Sequence, residues 1–169
     1  MSERRPRPRA KLTVDIIEDD GNWAFVEDVQ SLIEAAAAEV ATEPLLKVAQ
    51  ADVVVVLSCD ANVAILNGQY RGKPKPTNVL SFPAGQGAPP GQLGDIVLAC
   101  ETVQREADSE DIPVEHHLQH LVVHGLLHLL GLDHASETDA ERMEALEIKI
   151  LARLGIANPY MGPLDTVRS

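Results

Sequence analysis

Residues 113–130 form a segment that is apolar around almost its whole circumference, and yet it carries five histidines. A helix that is apolar on every side has to lie at the centre of a hydrophobic core. Four of the histidines recur at every fourth residue and would form one stripe along such a helix. The segment therefore predicts a central buried helix with a polar stripe, formed by His116, His120, His124 and His128.

The end of this stripe has the spacing of a metal site. His124 and His128 are four residues apart, so on a helix their rings point to one place. Gly131 can end the helix with a positive φ, after which the chain can turn back and bring His134 beside them. Three imidazoles leave one coordination position open, which is typical of a catalytic zinc site. The spacing therefore predicts one divalent metal bound by His124, His128 and His134.

The pattern His-x-x-x-His-x-x-Gly-x-x-His matches the zinc signature of the metzincin peptidases, with one difference. Those enzymes need a glutamate directly after the first histidine as general base, and here that position is Gly125. A glycine in mid-helix costs about 0.5–1 kcal/mol relative to alanine, which indicates that another group packs closely against it. Two alternatives stay open. One is a zinc peptidase that has lost or replaced its base. The other is a non-catalytic assembly module with a structural zinc, although structural sites usually have four protein ligands.

Three further residues are candidates for positions near the metal. His120 lies one turn before the first ligand. We interpret it mainly as a packed core residue, with a place beside the ligands or facing the substrate as the alternative. Asp95 and Asp133 could accept the second N–H of a metal-bound imidazole. Each of these aspartates is equally suited to capping a turn.

The periodicities in the rest of the chain predict a single α/β (α+β) domain. The unbroken apolar run from Val53 to Leu57 is typical of a strand covered by helices on both faces. The whole pattern gives the order β-α-β-α-β-β-α-α-α. It predicts a mixed sheet of about four strands covered by about five helices, with the histidine helix at the centre. The short connection from Phe82 to Leu93 predicts that strands three and four pair antiparallel. Thr138 and Glu141 resemble a capping box for the last helix.

The length and composition fit one domain between two tails. A chain of 169 residues with 45% apolar residues can bury a core of its own. We predict a basic disordered tail over residues 1–11, a folded domain over 12–158 and a C-terminal tail over 159–169. No apolar run approaches the roughly 18 residues of a membrane span, and the arginine-rich start is not followed by an apolar stretch. These features predict a cytoplasmic protein that does not bind a membrane.

The net charge of the chain limits which part of its surface can bind nucleic acid. The net charge is −12, so a phosphate backbone would be repelled by most of the surface. Any contact with RNA has to come from a local basic patch. A polar, basic segment over residues 67–76, interpreted as a loop after a short helix that starts at Asp60, is the candidate for this patch.

Residues 124–134, with the sequence His-Gly-Leu-Leu-His-Leu-Leu-Gly-Leu-Asp-His, resemble the signature of the YbeY family, bacterial endoribonucleases of rRNA maturation. The stretch from Leu66 to Pro83, which contains Tyr-Arg-Gly-Lys and Pro-Thr-Asn-Val-Leu-Ser-Phe-Pro, is similar to the same family, and so is the stretch from Leu93 to Val97. The resemblance covers roughly residues 12–158. Pro74 departs from it, since a polar or charged residue is expected there.

The resemblance implies a zinc-dependent endoribonuclease that is specific for single strands. It implies a role in maturing the 3′ end of the small-subunit (16S) rRNA and in ribosome quality control. The implied partners are rRNA or other single-stranded RNA, the small ribosomal subunit and its assembly factors. The implied cofactor is one Zn²⁺ per chain, held by His124, His128 and His134.

The resemblance also assigns the basic segment. Arg71 would be the pocket arginine and, together with His124, would take part in catalysis. A guanidinium can bind two non-bridging oxygens of a phosphate at once, which suits the charge that builds up during phosphodiester cleavage. Lys73 and Lys75 flank it, so Arg71, Lys73 and Lys75 are predicted to bind RNA. The segment alone is explained equally well as a solvated turn, because basic clusters are a weak motif.

Overall fold

The computed structural model describes residues 10–46, 48–133 and 135–161. His134 and nearly all of the predicted N-terminal tail lie outside the described residues. The elements follow in the predicted order: β1 (Lys11–Glu18), α1 (Val29–Ala41), β2 (Gln50–Ser58), α2 (Asp60–Arg71), β3 (Val79–Pro83), β4 (Gln92–Ala99), α3 (Cys100–Glu110), α4 (Val114–Leu129) and α5 (Glu137–Arg153). The described residues contain no helix that is long and apolar enough to cross a membrane.

The four strands form one mixed sheet in the order β1-β2-β4-β3. β1, β2 and β4 run parallel, and β3 pairs antiparallel with β4 at one edge. In this last pair Ser81 lies opposite Ile96, and Phe82 lies opposite Asp95. The antiparallel pairing predicted from the short connection between strands three and four is therefore confirmed.

The two faces of the sheet are covered unequally. Val53, Val55 and Leu57 of β2 pack into the main core together with residues of α1, α4 and α5. The opposite face packs against α2 through a smaller cluster. On that side Val54 and Val56 are only half-buried. The prediction that β2 is buried on both faces was therefore right for one face and wrong for the other, where α2 leaves part of the strand in contact with solvent.

Helix α4 lies at the centre of the core, as its sequence predicts. It contacts α1, α3, α5, β3 and β4. Its fully or almost fully buried apolar residues include consecutive positions, which point to different sides of a helix. These residues are Leu118, Leu121, Val122, Val123, Leu126 and Leu127. A helix fixed on so many sides is a rigid support for the side chains of its histidine stripe.

Two helices have bounds that differ from those predicted. α2 extends through Arg71, because buried Asn67 donates its amide N–H to the Lys75 carbonyl at 2.9 Å and secures the last turn. Arg71 therefore lies in a helix and not in a loop. α5 begins earlier than the Thr138–Glu141 capping box would place it. Its N-cap is Ser136, whose hydroxyl accepts the Asp139 backbone N–H at 3.1 Å.

Candidate metal centre

Helix α4 brings His124 and His128 together. Their Nε2 atoms are 3.0 Å apart, and their rings are nearly perpendicular at a centroid distance of 4.5 Å. Two Zn–N bonds of about 2.0–2.1 Å at a tetrahedral angle place the nitrogens about 3.3 Å apart. The two Nε2 atoms therefore have close to the separation that a shared metal ion requires. The His124 side chain keeps 23% of its surface exposed, so the pair can be reached from solvent.

The other nitrogen of His124 has a partner that orients this ring. Its Nδ1 lies 2.7 Å from Oε1 of Glu147 on α5. An ionised carboxylate only accepts hydrogen bonds, so Nδ1 carries the hydrogen and Nε2 keeps its lone pair. This arrangement, with a carboxylate behind an imidazole, is what fixes the tautomer and the ring orientation of metal-binding histidines. The residues present here therefore fit a metal ion.

Glu147 is the centre of a buried hydrogen-bond network. Its side chain is fully buried and also accepts from His120 Nε2 at 3.0 Å and from the Tyr160 hydroxyl. Burial raises the pKa of Glu147, but the hydrogen bonds from His120, His124 and Tyr160 outweigh this effect and lower it to about 2. Burial, together with the bond to Glu147, also raises the pKa of the Tyr160 phenol, so the hydroxyl keeps its proton and remains a donor. The network holds one negative charge directly behind His124.

The carboxylate behind His124 is not one of the two predicted from the sequence. Asp95 lies on β4 beside Val97, on the sheet face that α2 covers, away from α4. Asp133 accepts the Ala135 backbone N–H at 3.0 Å and so caps a turn, which was its alternative interpretation. The sequence signal for Glu147 was its position on the apolar stripe of α5, between Met143 and Ile150. A charged residue there needs a buried partner.

His120 belongs to the site and is not simply packed in the core. Besides its bond to Glu147, its ring contacts the Tyr160 ring edge-on at a centroid distance of 5.8 Å. His116 and His120 line a cavity of about 500 Å³, together with residues of the segment from Ile156 to Met161. The main interpretation of His120 as a packed core residue was wrong, since His120 shares the carboxylate of Glu147 with His124. Tyr160 and Met161, which fall within the predicted C-terminal tail, contribute to the site.

Gly125 allows the histidine helix to approach the sheet. A Cβ at this position would lie 3.1 Å from both Ser81 Oγ and Ile96 Cδ1. The Ser81 hydroxyl also donates to the Gly125 carbonyl at 3.3 Å. The predicted close approach is therefore confirmed. The Cβ of a glutamate in this place, as a metzincin requires, would already crowd the side chains of Ser81 on β3 and Ile96 on β4.

The third predicted ligand, His134, lies outside the described residues. Within the ranges 10–46, 48–133 and 135–161, no three histidine, cysteine or carboxylate side chains lie close enough to hold a metal ion. The described part of the centre thus consists of two convergent imidazoles and the carboxylate behind one of them. The assignment of His134 stays a prediction from its spacing.

The basic residues Arg71, Lys73 and Lys75 are exposed at the end of α2. The turn that carries the lysines is held by Asn67, and Pro74 fits against Gly68, where a Cβ would lie 3.3 Å from the proline. Among the described residues, none of the three basic side chains pairs with a carboxylate. Because α2 and α4 cover opposite faces of the sheet, Arg71 would have to reach the histidines around edge strand β3. Its contact with the reacting phosphate stays a prediction.

Comparison of the sequence and the fold with those of known proteins shows the family of this chain. The sequence model of the family described as "Endoribonuclease YbeY" matches residues 16–155. A protein of that name from Bradyrhizobium diazoefficiens is 51% identical over 145 residues, which is 82% of this chain and 79% of that protein. One from Rhodopseudomonas palustris is 54% identical over 134 residues, 76% of each chain. A solution structure of a Thermotoga maritima protein has the same fold, with a TM-score of 0.51 and 24% identity over 85% of this chain and 92% of that one. This chain belongs to the YbeY family.

Proposed function

We propose that this chain is an endoribonuclease that cuts single-stranded RNA with one divalent metal ion, Zn²⁺ in the simplest case, held by His124, His128 and His134. The observation that carries the proposal is the pair of Nε2 atoms 3.0 Å apart, one of them on a ring fixed by the buried carboxylate of Glu147. The reaction class rests on the family, since the relatives at 51% and 54% identity carry the name endoribonuclease.

The side chains of the site have separate tasks in this reaction. A divalent ion in this place would supply Lewis-acid chemistry at a phosphoryl oxygen. Glu147 keeps the proton of His124 on Nδ1 and so keeps the lone pair of Nε2 directed at the ligand position. His120 and Tyr160 donate to the other carboxylate oxygen of Glu147, so that its carboxylate stays charged and in place. Arg71 is proposed to bind the non-bridging oxygens of the phosphate.

We also propose that the RNA is ribosomal. The family resemblance supports a role at the 3′ end of the 16S rRNA and in ribosome quality control in the cytoplasm, with the small subunit and assembly factors as partners. The exposed cluster of Arg71, Lys73 and Lys75 supports an RNA substrate, because it offers exposed positive charge on a chain whose net charge is −12.

Gly125 separates this function from that of a peptidase. Peptide hydrolysis in metzincins depends on a glutamate next to the first ligand. The sequence has no side chain at this position, and its close contacts with Ser81 and Ile96 disfavour one. A phosphodiester does not need the same base, since its anionic oxygens can be stabilised by a metal ion and a guanidinium.

The proposal predicts the substrate of the purified protein. A circular, unstructured RNA should be converted to a linear product, because an endonuclease needs no free end. Casein should stay intact under the same conditions. The measurement is gel separation of circular from linear RNA, with a sample treated with chelator as control. Metal-dependent degradation of casein, with circular RNA untouched, would contradict the proposal and favour the peptidase alternative.

The proposed role of Arg71 predicts a loss of turnover. Arg71→Ala should lower the rate at saturating RNA by about 10²–10³-fold, the range for removing one donor to a transition-state oxyanion. Arg71→Lys should restore little of it, because lysine cannot make the paired contact. The rate constant at saturating RNA is the quantity to measure.

Lys73→Ala and Lys75→Ala are the matched comparison for Arg71→Ala. They should mainly weaken RNA binding and lower the slope of its salt dependence by about one unit each, since each removes one phosphate contact. If Arg71→Ala raises only the RNA concentration needed for half-maximal rate, with turnover intact, Arg71 positions the backbone like the two lysines and has no catalytic role.

A further inference from the structure

We propose that Tyr70 and Phe82 form a stacking platform for one unpaired base of the RNA substrate, on the sheet face opposite the histidine helix. The proposal rests on the proposed function and names a subsite for its substrate.

The platform is an exposed aromatic ring beside an apolar cavity. Tyr70 lies in the last turn of α2 and is 67% exposed. Its ring contacts half-buried Phe82 of β3 edge-on, with centroids 5.2 Å apart. Below the two rings lies a cavity of about 490 Å³ whose walls are mostly apolar. Its other lining residues are Val56, Leu66, Pro83 and Val97, together with two aspartates, Asp19 and Asp95.

The charges around the platform fit RNA. Arg71 follows Tyr70 directly as the last residue of the helix, and Lys73 and Lys75 follow in the turn after it, all of them exposed. Proteins that bind single strands combine aromatic rings, on which bases stack, with positive charge that follows the phosphates. Tyr70 and its three basic neighbours provide both on one short segment.

Asp95 indicates which part of a nucleotide enters the cavity. It lies opposite Phe82 in the β3–β4 ladder and lines the cavity, and among the described residues its carboxylate accepts no hydrogen bond. Asp19, by contrast, is already bonded to Ser58 and Asn62 through its Oδ2. A carboxylate repels a phosphate but accepts hydrogen bonds from the amino groups of bases. The cavity therefore suits a base, and the phosphates belong on the basic residues outside it.

Edge strand β3 connects the platform to the metal centre. Ser81 and Phe82 are consecutive, so their side chains point to opposite faces of the sheet. Ser81 contacts Gly125 of the histidine helix, while Phe82 contacts Tyr70. An RNA strand that passes around this edge can place a phosphate near the histidines and a base of the same strand on the platform.

Replacing the exposed ring tests the platform. Because Tyr70 is largely exposed, Tyr70→Ala should leave the fold intact. The probe is a single-stranded RNA with 2-aminopurine at successive positions. The fluorescence anisotropy of this RNA, which reports its binding, is read in the first seconds after the RNA is mixed with the metal-loaded full chain. Tyr70→Ala should weaken binding by about 5- to 150-fold, the range for losing one base–aromatic stack. In the cleavage assay, the effect should appear mainly as a higher RNA concentration at half-maximal rate. The quenching of 2-aminopurine at one position should also be lost, whereas Tyr70→Phe should keep both signals.

Ile65→Ala is the matched control, because Ile65 is an exposed apolar residue of the same helix, 59% exposed, that does not line the cavity. If Tyr70→Ala binds RNA as tightly as Ile65→Ala does, while both still cut RNA, the platform is wrong and the proposed function stands. A third outcome is that the unaltered chain binds and quenches the RNA, that Tyr70→Ala abolishes the quenching, and that the unaltered chain nevertheless cuts no RNA. In that case the platform stands and the endonuclease proposal is wrong. A chain that does not bind single-stranded RNA overturns both.

Discussion

His128→Ala should remove most of the bound metal from the purified protein and with it the RNA-cutting activity. The unaltered chain should contain about one divalent ion, and the variant should bind that ion at least about 10²-fold more weakly, because loss of a ligand exceeds the 10–100-fold effect of losing a partner behind a ligand. His128 is the better choice than His124 for this test. Among the stripe histidines, His120 and His124 bond to Glu147. The His128→Ala variant therefore keeps both partners of the buried carboxylate.

His116→Ala is the control for this prediction, since His116 belongs to the same stripe and the spacing does not make it a ligand. Metal content can be measured by elemental analysis after gel filtration, and the fold by thermal unfolding. His116→Ala should keep its metal, and His134→Ala should lose it as His128→Ala does. Full metal content in His128→Ala, in a folded protein, would contradict the assignment of the centre.

The parts of the fold that the sequence predicted well depend on local patterns. The antiparallel pairing of β3 and β4 follows from their short connection, and the convergence of His124 and His128 follows from a spacing of four on a helix. The close approach at Gly125 could be predicted because a glycine in mid-helix needs a packing reason. Each of these inferences uses residues within about a dozen positions of one another.

The parts that the sequence did not predict depend on contacts between distant elements. The buried position of Glu147 on α5 indicates that it needs a partner, but not that the partner is His124, 23 residues earlier. Asp95 was a candidate by residue type alone, and only the register of β4 shows that it faces α2. The extension of α2 through Arg71 depends on a bond between Asn67 and the Lys75 carbonyl, which overrides the polar composition of that segment.

Glu147→Ala should have the largest effect on stability and should also weaken metal binding. The fully buried carboxylate accepts hydrogen bonds from His120, His124 and Tyr160, so its removal leaves three donors facing a cavity. Each buried polar group left unpaired costs about 1–3 kcal/mol, so the variant should unfold at a clearly lower temperature or denaturant concentration. The decisive variant is Glu147→Gln, which keeps the shape of the side chain and removes its charge, and which tests the carboxylate even if Glu147→Ala does not fold.

In Glu147→Gln the amide oxygen can still accept from His124, but the amide N–H groups must then face both His120 and Tyr160, which also donate. We expect the affinity for the metal, measured by competition with a chelator, to fall by about 10–100-fold, and the absorption spectrum of bound Co²⁺ to change because His124 is less firmly oriented. Tyr160→Phe removes one of the three hydrogen bonds to Glu147. Its affinity for the metal should lie between those of Glu147→Gln and the unaltered chain. Glu141→Gln, an exposed change on the same helix, should alter neither signal. A purely structural role for Glu147 would lower the unfolding temperature of Glu147→Gln and leave its metal affinity and Co²⁺ spectrum unchanged, which would show that the carboxylate does not orient the ligand.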